Sequence, residues 1–201
     1  MRTPHLVLIL AYAIATTNTF ANNIKGIIIR TCDTLNVTFH MPVYTDPDYY
    51  ELQTGVKYTD SKGNKEKILP TQAKEIQFDY SGEKIRMLSR IDNQNLKADT
   101  SKKIFLRLII DGKIKLFDYY LTNNYTNYNQ QMARPKDAPL NFRYVLQKDN
   151  GELVRYDKMK FKTDFPIYVK ECKDLVNKIN AKEYGHDDLK VMVKFYNTNC
   201  N

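Results

Sequence analysis

The stretch that decides the fold is Lys103-Ile-Phe-Leu-Arg-Leu-Ile-Ile-Asp-Gly-Lys-Ile-Lys-Leu-Phe-Asp-Tyr-Tyr120. Two apolar runs flank Asp111-Gly112, a dipeptide that tolerates positive φ at both turn positions and therefore favours a tight type I′ hairpin. The first run is apolar almost throughout, with Arg107 as the main interruption, which is typical of a central strand covered on both faces. The second run alternates between two faces, which carry Ile114, Leu116 and Asp118, and Lys115, Phe117 and Tyr119. We expect this hairpin in the middle of the sheet.

Short strand-like runs separated by turn residues surround the hairpin. They predict strands over residues 24–30, 35–40, 50–58, 65–69, 75–80, 84–91, 141–148 and 152–156. The order of many short strands followed by helices predicts an α+β domain. Its main part is an antiparallel sheet or a partly closed barrel, and a C-terminal helical hairpin follows.

The period changes to a helical one at Asp164. Apolar residues then recur at steps of four and three, at Phe165, Val169, Cys172, Val176 and Ile179. Asp164 suits the N-cap of this first helix, and Asp187 or Asp188 suits that of a second. The second stripe is Leu189, Met192, Val193 and Tyr196.

Residues 1–21 have the pattern of a secretory signal peptide, with Arg2 before an apolar run and the small residue Ala21 at the cleavage site. We therefore expect an exported protein that is periplasmic, on the outer surface or secreted. It forms a single domain over residues 22–201, with a β-rich part at 22–163 and the helical hairpin at 164–201. No stretch is long and apolar enough for a transmembrane helix.

The whole chain carries a formal charge of +8. Its lysines are scattered through predicted strands and turns, and no compact Arg-rich block or RNA-binding signature is present. The pattern therefore favours solvated strand faces, and we expect no nucleic-acid partner.

Three cysteines in an exported chain indicate one disulfide and one spare thiol. An antiparallel helix pair brings Cys172 close to Cys200, so this is the preferred bridge. Alternatively, Cys32 pairs with one of these two cysteines, or it stays free. Three reduced thiols are the remaining alternative.

The sequence offers no constellation for catalysis, a cofactor or a metal ion. Beyond the predicted signal peptide its only histidines are His40 and His186, and no spacing typical of a zinc site is present. We therefore predict no catalytic residues, no cofactor and a non-enzymatic protein, although a hydrolase whose residues meet only in space stays open.

Tyrosine and asparagine residues cluster where the central hairpin runs into residues 122–139. Tyr and Asn together suit adaptable recognition surfaces, so Tyr120, Tyr125 and Tyr128 are the candidate contacts to a partner. The alternative is that these tyrosines are ordinary strand residues. The lysine-rich strands around Lys57, Lys65 and Lys67 are the next candidate surface.

Several segments resemble an uncharacterised group of exported proteins common in Bacteroidota. Residues 24–35 are similar to the opening of that group, residues 104–117 to its central hairpin, and residues 165–175 and 193–197 to its C-terminal helix pair. The resemblance implies an envelope location and no known activity. The longer segment 122–139 and Cys32 depart from the group.

Two functions follow as hypotheses. The first is a non-enzymatic envelope protein that binds a protein partner or a surface glycan. The alternative is a lipocalin-like carrier of a small apolar ligand, which requires strands closed around an empty interior.

Overall fold

The computed structural model describes residues 21–42, 49–94, 102–121 and 142–200. The strands are β1 (Ala21–Ile29), β2 (Thr34–Pro42), β3 (Val56–Thr59), β4 (Lys65–Ile68), β5 (Glu75–Tyr80), β6 (Glu83–Ile91), β7 (Lys103–Ile110), β8 (Ile114–Tyr120), β9 (Phe142–Lys148) and β10 (Leu153–Val154). The helices are α1 (Tyr49–Thr54), α2 (Phe161–Tyr168), α3 (Lys173–Asn180) and α4 (Leu189–Asn199), and a short 3-10 turn precedes α4.

The fold is α+β, as the sequence predicts, and the ten strands in the described part of the chain form one antiparallel sheet. Their order is β10-β9-β8-β7-β6-β5-β1-β2-β3-β4. Within the described ranges the sheet stays open, with β4 and β10 at its edges.

Strand β7 is covered on both faces, which confirms the prediction from its apolar run. Phe105 is fully buried in one core, and its neighbour Leu106 is fully buried in another on the opposite side. We call the side with Phe105 the helix face, because the helices pack on it, and the side with Leu106 the outer face. In β8, Leu116 lies on the helix face and Phe117 on the outer face, which confirms the predicted alternation.

The N-terminal strands and α1 share a core on the helix face. Its buried side chains include Ile28, Phe39, Met41, Leu52, Val56, Ile76, Phe78, Met87 and Phe105. Helix α1 contacts β7 and β8, and the Tyr49 ring stacks on Tyr120 at 5.1 Å. Only Gly55 separates α1 from β3, although β3 lies five positions away from β7 in the strand order of the sheet. The N-terminal strands must therefore curl towards the helix face.

The C-terminal strands curl the other way, over the outer face. Arg90 on β6 donates a hydrogen bond of 2.6 Å to the Gln147 side chain on β9, although β7 and β8 lie between them. In a flat sheet those strands would be about 14 Å apart. The curl encloses a small core of Leu88, Ile104, Leu106, Phe117, Val145 and Leu153.

Helices α2 to α4 cover the remaining part of the helix face, over β8 and β9. Their apolar side chains pack on Ile114, Leu116 and Leu146. A disulfide joins Cys172, just before α3, to Cys200, just after α4, with Cα atoms 5.2 Å apart. This confirms the bridge that the sequence favours, and Cys32 is free and exposed.

The first predicted helix is two helices. Helix α2 begins at Phe161, three residues before the predicted boundary, and its N-cap is Lys160 where Asp164 was expected. A turn then separates it from α3. Glu171 in the turn is held by Lys148 and Tyr196, which favours the break. The second helix agrees with its prediction, since Leu189, Met192, Val193 and Tyr196 are all buried.

Two further predictions on local structure are wrong. Residues 50–58 were expected as one strand, but they contain most of α1 and the start of β3. The turn at Asp111-Gly112 is not type I′, because only Gly112 has a positive φ (151°), and residues 111–113 all lie between β7 and β8. The Asn197 side chain from α4 holds this loop. It accepts a hydrogen bond from the Ile114 N–H and donates one to the Ile114 carbonyl.

Candidate functional site

A cleft of about 460 Å³ opens where β8 ends and β9 begins. Its walls come from α1, from the residues that follow β6 and precede β7, and from the segment after β10. The described lining residues that carry polar or aromatic groups are Tyr50, Gln53, Thr54, Asp92, Gln94, Lys102, Tyr119, Tyr120, Arg143 and Arg155. The volume lies within the range of cavities that hold small ligands in proteins.

The buried carboxylate of Asp92 organises the floor of the cleft. Asp92 is 3% exposed, and its oxygens lie 3.2 and 3.3 Å from the Tyr119 hydroxyl, which donates to it. The Gln94 backbone N–H donates to the same carboxylate at 3.2 Å, and the Asp92 N–H donates to the Lys102 carbonyl at 2.8 Å. Asp92 is therefore satisfied by the protein itself, and its role is to fix the ends of β6 and β7.

Tyr119 is held as a neutral donor. Burial raises the pKa of its hydroxyl, and the charge and hydrogen bond of Asp92 raise it further. Since both effects disfavour the phenolate, the Tyr119 ring lines the cleft as an uncharged aromatic surface.

Helix α1 forms the opposite wall through a reciprocal pair of hydrogen bonds. The Gln53 amide donates to the Tyr120 carbonyl at 2.9 Å and accepts from the Tyr120 N–H at 2.7 Å. Gln53 is 4% exposed, so both its polar groups are satisfied within the protein. These bonds bind α1 to the end of β8 and set the width of the cleft.

Three exposed cations surround this framework. Lys102 and Arg143 form no ion pair with any other residue in the described ranges, and Arg155 lies 3.5 Å from the exposed Asp157. Surface pairs of this kind contribute little to stability. Asp92 is the one carboxylate among the described lining residues, and Tyr119 and Gln94 occupy it, so the charged groups left without a strong partner there are cationic.

The three tyrosines predicted as contacts fare differently. Tyr120 borders the cleft but is 3% exposed, because its ring stacks on Tyr49 in the core and its hydroxyl donates to Asp118. Burial of the ring does not suit the contact role predicted for it. Tyr125 and Tyr128, with the whole segment 122–139, lie outside the described residues. The neighbouring Tyr119, for which no contact role was predicted, is half-buried and lines the cleft.

A second polar cluster separates the two cores of the helix face. Arg107 donates to both oxygens of Glu83 at 2.9 and 3.0 Å, and its guanidinium lies 4.9 Å over the Tyr49 ring. Asp118 is 4% exposed, and one of its oxygens has no partner among the described residues. Burial raises the pKa of Asp118 and outweighs the attraction of Arg107. This cluster anchors β7 and β8 to each other.

The two histidines lie where they make local contacts. His40 is half-buried on the outer face, with its ring nitrogens 2.8 Å from the Asn23 oxygen and 2.6 Å from the Thr59 hydroxyl. His186 packs edge-on against Phe161 before α4. In the parts of the chain that the structure describes, no three His, Cys, Asp or Glu residues cluster as metal ligands. None of the described helices is long and apolar enough to cross a membrane.

Comparisons with known proteins add no relative. No protein-family model matches the chain, and neither a curated protein nor a solved structure shows significant similarity to it. The geometry of the cleft is therefore the guide to function.

Proposed function

We propose that the chain is an exported, non-enzymatic binding protein of the cell envelope whose cleft takes an anionic glycan. The observation that carries the proposal is the set of cations Lys102, Arg143 and Arg155 around a cleft in which Asp92, the one carboxylate among the described lining residues, is already occupied. A ligand with a carboxylate or sulfate would meet the cationic donors of these three residues, while the negative charge of Asp92 is already engaged by Tyr119 and Gln94.

The other lining groups suit a sugar. Arginine presents a planar fork of donors that matches a carboxylate, which gives both affinity and orientation. The uncharged ring of Tyr119 and the ring of Tyr50 offer flat, amphipathic surfaces. A uronic acid combines a carboxylate, hydroxyl groups and apolar ring faces, and it is small enough for a cleft of about 460 Å³.

The carrier hypothesis finds less support. A carrier needs a barrel closed around empty space. The sheet is open, and inward side chains such as Phe39, Ile76 and Phe105 are 0% exposed in a packed core. The geometry favours binding at the surface cleft.

The test compares two sugars that differ in one group, glucuronic acid and glucose, by titration calorimetry. We expect binding of glucuronic acid and none of glucose at the same concentration. Replacing Arg143 and Arg155 together by Gln should weaken binding by about tenfold or more, since each hydrogen bond to a charged group contributes about 1.5–3 kcal/mol. The matched control is Lys170→Gln with Lys173→Gln, which removes the same charge from exposed sites near α3. Equal loss in both double variants would mean general attraction and would contradict a specific site.

Export is tested separately, by intact-mass measurement of protein collected outside the cytoplasm. We expect a chain that begins at or near Asn22. A mass that retains residues 1–21 would contradict export by a cleaved signal peptide.

A further inference from the structure

Strand β4 is an edge strand with exposed backbone groups. It pairs with β3 in the register Val56↔Ile68, Lys57↔Lys67, Tyr58↔Glu66 and Thr59↔Lys65, and no strand lies on its other side within the described ranges. At the turn, the Asp60 N–H donates to the Asn64 carbonyl. Hydrogen-bonded and non-hydrogen-bonded pairs alternate along an antiparallel ladder. Glu66 and Ile68 therefore bond to β3, and the N–H and C=O groups of Lys65 and Lys67 point out of the edge.

The same residues carry unpaired charge on the outer face. Lys57 and Lys67 lie directly opposite each other in a non-hydrogen-bonded pair, where side chains approach most closely. Like charges placed in this way destabilise a sheet. The three lysines Lys57, Lys65 and Lys67 are exposed, and none forms an ion pair or a side-chain hydrogen bond within the described residues.

Protection of the edge explains only part of this arrangement. Lysine on an edge strand discourages unwanted pairing. Lys57, however, lies on β3, one strand in from the edge. It repels Lys67, but it would not lie next to another strand that approached the edge. His40 on β2 continues the row, because the pair Phe39↔Tyr58 places it beside Lys57 on the outer face. The lysines therefore extend the positive surface one strand inwards from the edge, onto β3.

We propose that the β4 edge binds an acidic peptide segment of another protein, which adds as an eleventh, antiparallel strand. The outward N–H and C=O groups of Lys65 and Lys67 would bond to its backbone, as in other cases of strand addition. Asp or Glu residues two apart in the peptide would then lie directly opposite Lys65 and Lys67. Lys67, which faces Lys57 in the free protein, would then also have an acidic side chain on its other side.

A second copy of the chain does not fit this edge. In any antiparallel pairing of two β4 strands through their outward groups, odd-numbered residues face odd-numbered residues. In one register, Lys65 of one copy opposes Lys67 of the other. Registers shifted by two residues place two copies of Lys65 or two copies of Lys67 opposite each other, and the sheet disfavours all of these like-charge pairs. The charge pattern thus selects an acidic partner, independently of the cleft.

The experiment uses the whole chain and three blocked nine-residue peptides of Thr, Val and Glu or Lys. In the first, Glu alternates with Thr or Val; the second has the same composition with its glutamates adjacent; the third has Lys in place of Glu. Isotope-labelled protein is titrated with each and observed by NMR. We expect only the alternating acidic peptide to bind and to slow hydrogen exchange at the amides of Lys65 and Lys67.

Variants separate charge from backbone pairing. Lys65→Gln with Lys67→Gln should weaken binding of the alternating peptide at least tenfold, whereas Lys62→Gln with Lys84→Gln, an equal loss of charge at exposed positions elsewhere, should have little effect. Lys67→Pro removes the outward N–H as well as the charge and should bind more weakly than Lys67→Gln. Proline is tolerated where the N–H of an edge strand faces solvent, and the melting temperature checks the fold of each variant.

Several results would overturn the proposal. Equal binding of the alternating and the adjacent-glutamate peptides would show diffuse attraction to a polyanion. Binding to vesicles that contain phosphatidylglycerol, without binding of the peptide, would assign the lysines to a membrane surface. Protection of the Lys65 and Lys67 amides in a dimer seen by analytical ultracentrifugation would assign the edge to a second copy. No binding of any peptide would leave the lysines as edge protection alone.

Discussion

At the scale of single residues, Gly112 shows how one position couples the sheet to the helices. Its φ of 151° is a conformation that residues with a side chain rarely adopt. A Cβ at this position would also collide with the Asn197 side chain, whose amide bonds to the Ile114 backbone. The sequence identifies this glycine as a turn residue, but its contact with α4 depends on a residue 85 positions away and could not be read from local pattern.

Gly112→Ala should lower the free energy of unfolding by about 2–4 kcal/mol, since backbone strain and overpacking each cost about 1–3 kcal/mol. Chemical denaturation measures the change. The control is Gly82→Ala, where φ is 79° and no atom lies near the added methyl group, so about 1 kcal/mol is expected from the backbone alone. An equal loss at the two positions would show that Asn197 does not restrict the loop.

Glu171 gives the protein a predictable response to acid. Burial alone would raise its pKa, but hydrogen bonds from Lys148 and Tyr196 outweigh that effect and lower the pKa to about 2. A carboxylate whose pKa is lowered by folding stabilises the protein above its unfolded pKa of 4.5, and this contribution is lost as pH falls towards 2.

Glu171→Gln should therefore flatten the decline of unfolding free energy between about pH 4.5 and 2. The difference from the unaltered protein should be below about 1 kcal/mol at neutral pH, because the side chain is partly exposed and solvent screens the interaction. Denaturant titrations at several pH values measure it. An unchanged acid profile would mean that Lys148 and Tyr196 do not hold Glu171 in solution.

At the scale of elements, the disulfide fixes the helical layer. It joins residues separated by 28 positions, from the start of α3 to the end of α4. The spacing of the two apolar stripes was enough to predict this pair, because it depends only on helices that fold back on each other. The break between α2 and α3 was not predicted, since the stripe continues through it and the contacts of Glu171 that favour it are long-range.

Replacing Cys172 and Cys200 together by Ser should lower the free energy of unfolding by about 3–4 kcal/mol, the loop-closure entropy of a bridge of this length. Thermal and chemical denaturation under non-reducing conditions measure it. Cys32→Ser is the control, and because Cys32 is free and exposed it should change stability by no more than about 0.5 kcal/mol. If dithiothreitol leaves the stability of the unaltered protein unchanged, the bridge does not contribute.

Helix α1 shows where local pattern fails. Residues 49–58 have the aromatic content of a strand, yet the first six form a helix. The Gln53 bonds to Tyr120, a residue 67 positions away, and the stacking of Tyr49 on Tyr120 favour the helix over its local preference. Tertiary contacts of this kind override weak strand propensity.

At the scale of the whole molecule, the sheet curls in opposite directions at its two ends. Strand β7 serves both curls, which is why its run is apolar on both faces, and this much is visible in the sequence. The cleft is not visible in the sequence. Asp92, Arg143 and Arg155 come from three separate segments, and only the curl of the C-terminal strands brings them together. Asp92 and Arg155 follow the ends of β6 and β10, and Arg143 is near the start of β9, so no local periodicity groups them.

The measurement that tests the proposed function most directly is an NMR titration of the isotope-labelled protein with glucuronic acid, with glucose as the reference. We expect shift changes that saturate and that concentrate at Asp92, Lys102, Tyr119, Arg143 and Arg155, with none of comparable size for glucose. Saturating changes confined to other surfaces, such as the β4 edge, or identical changes with both sugars, would contradict the claim that this cleft binds an anionic glycan.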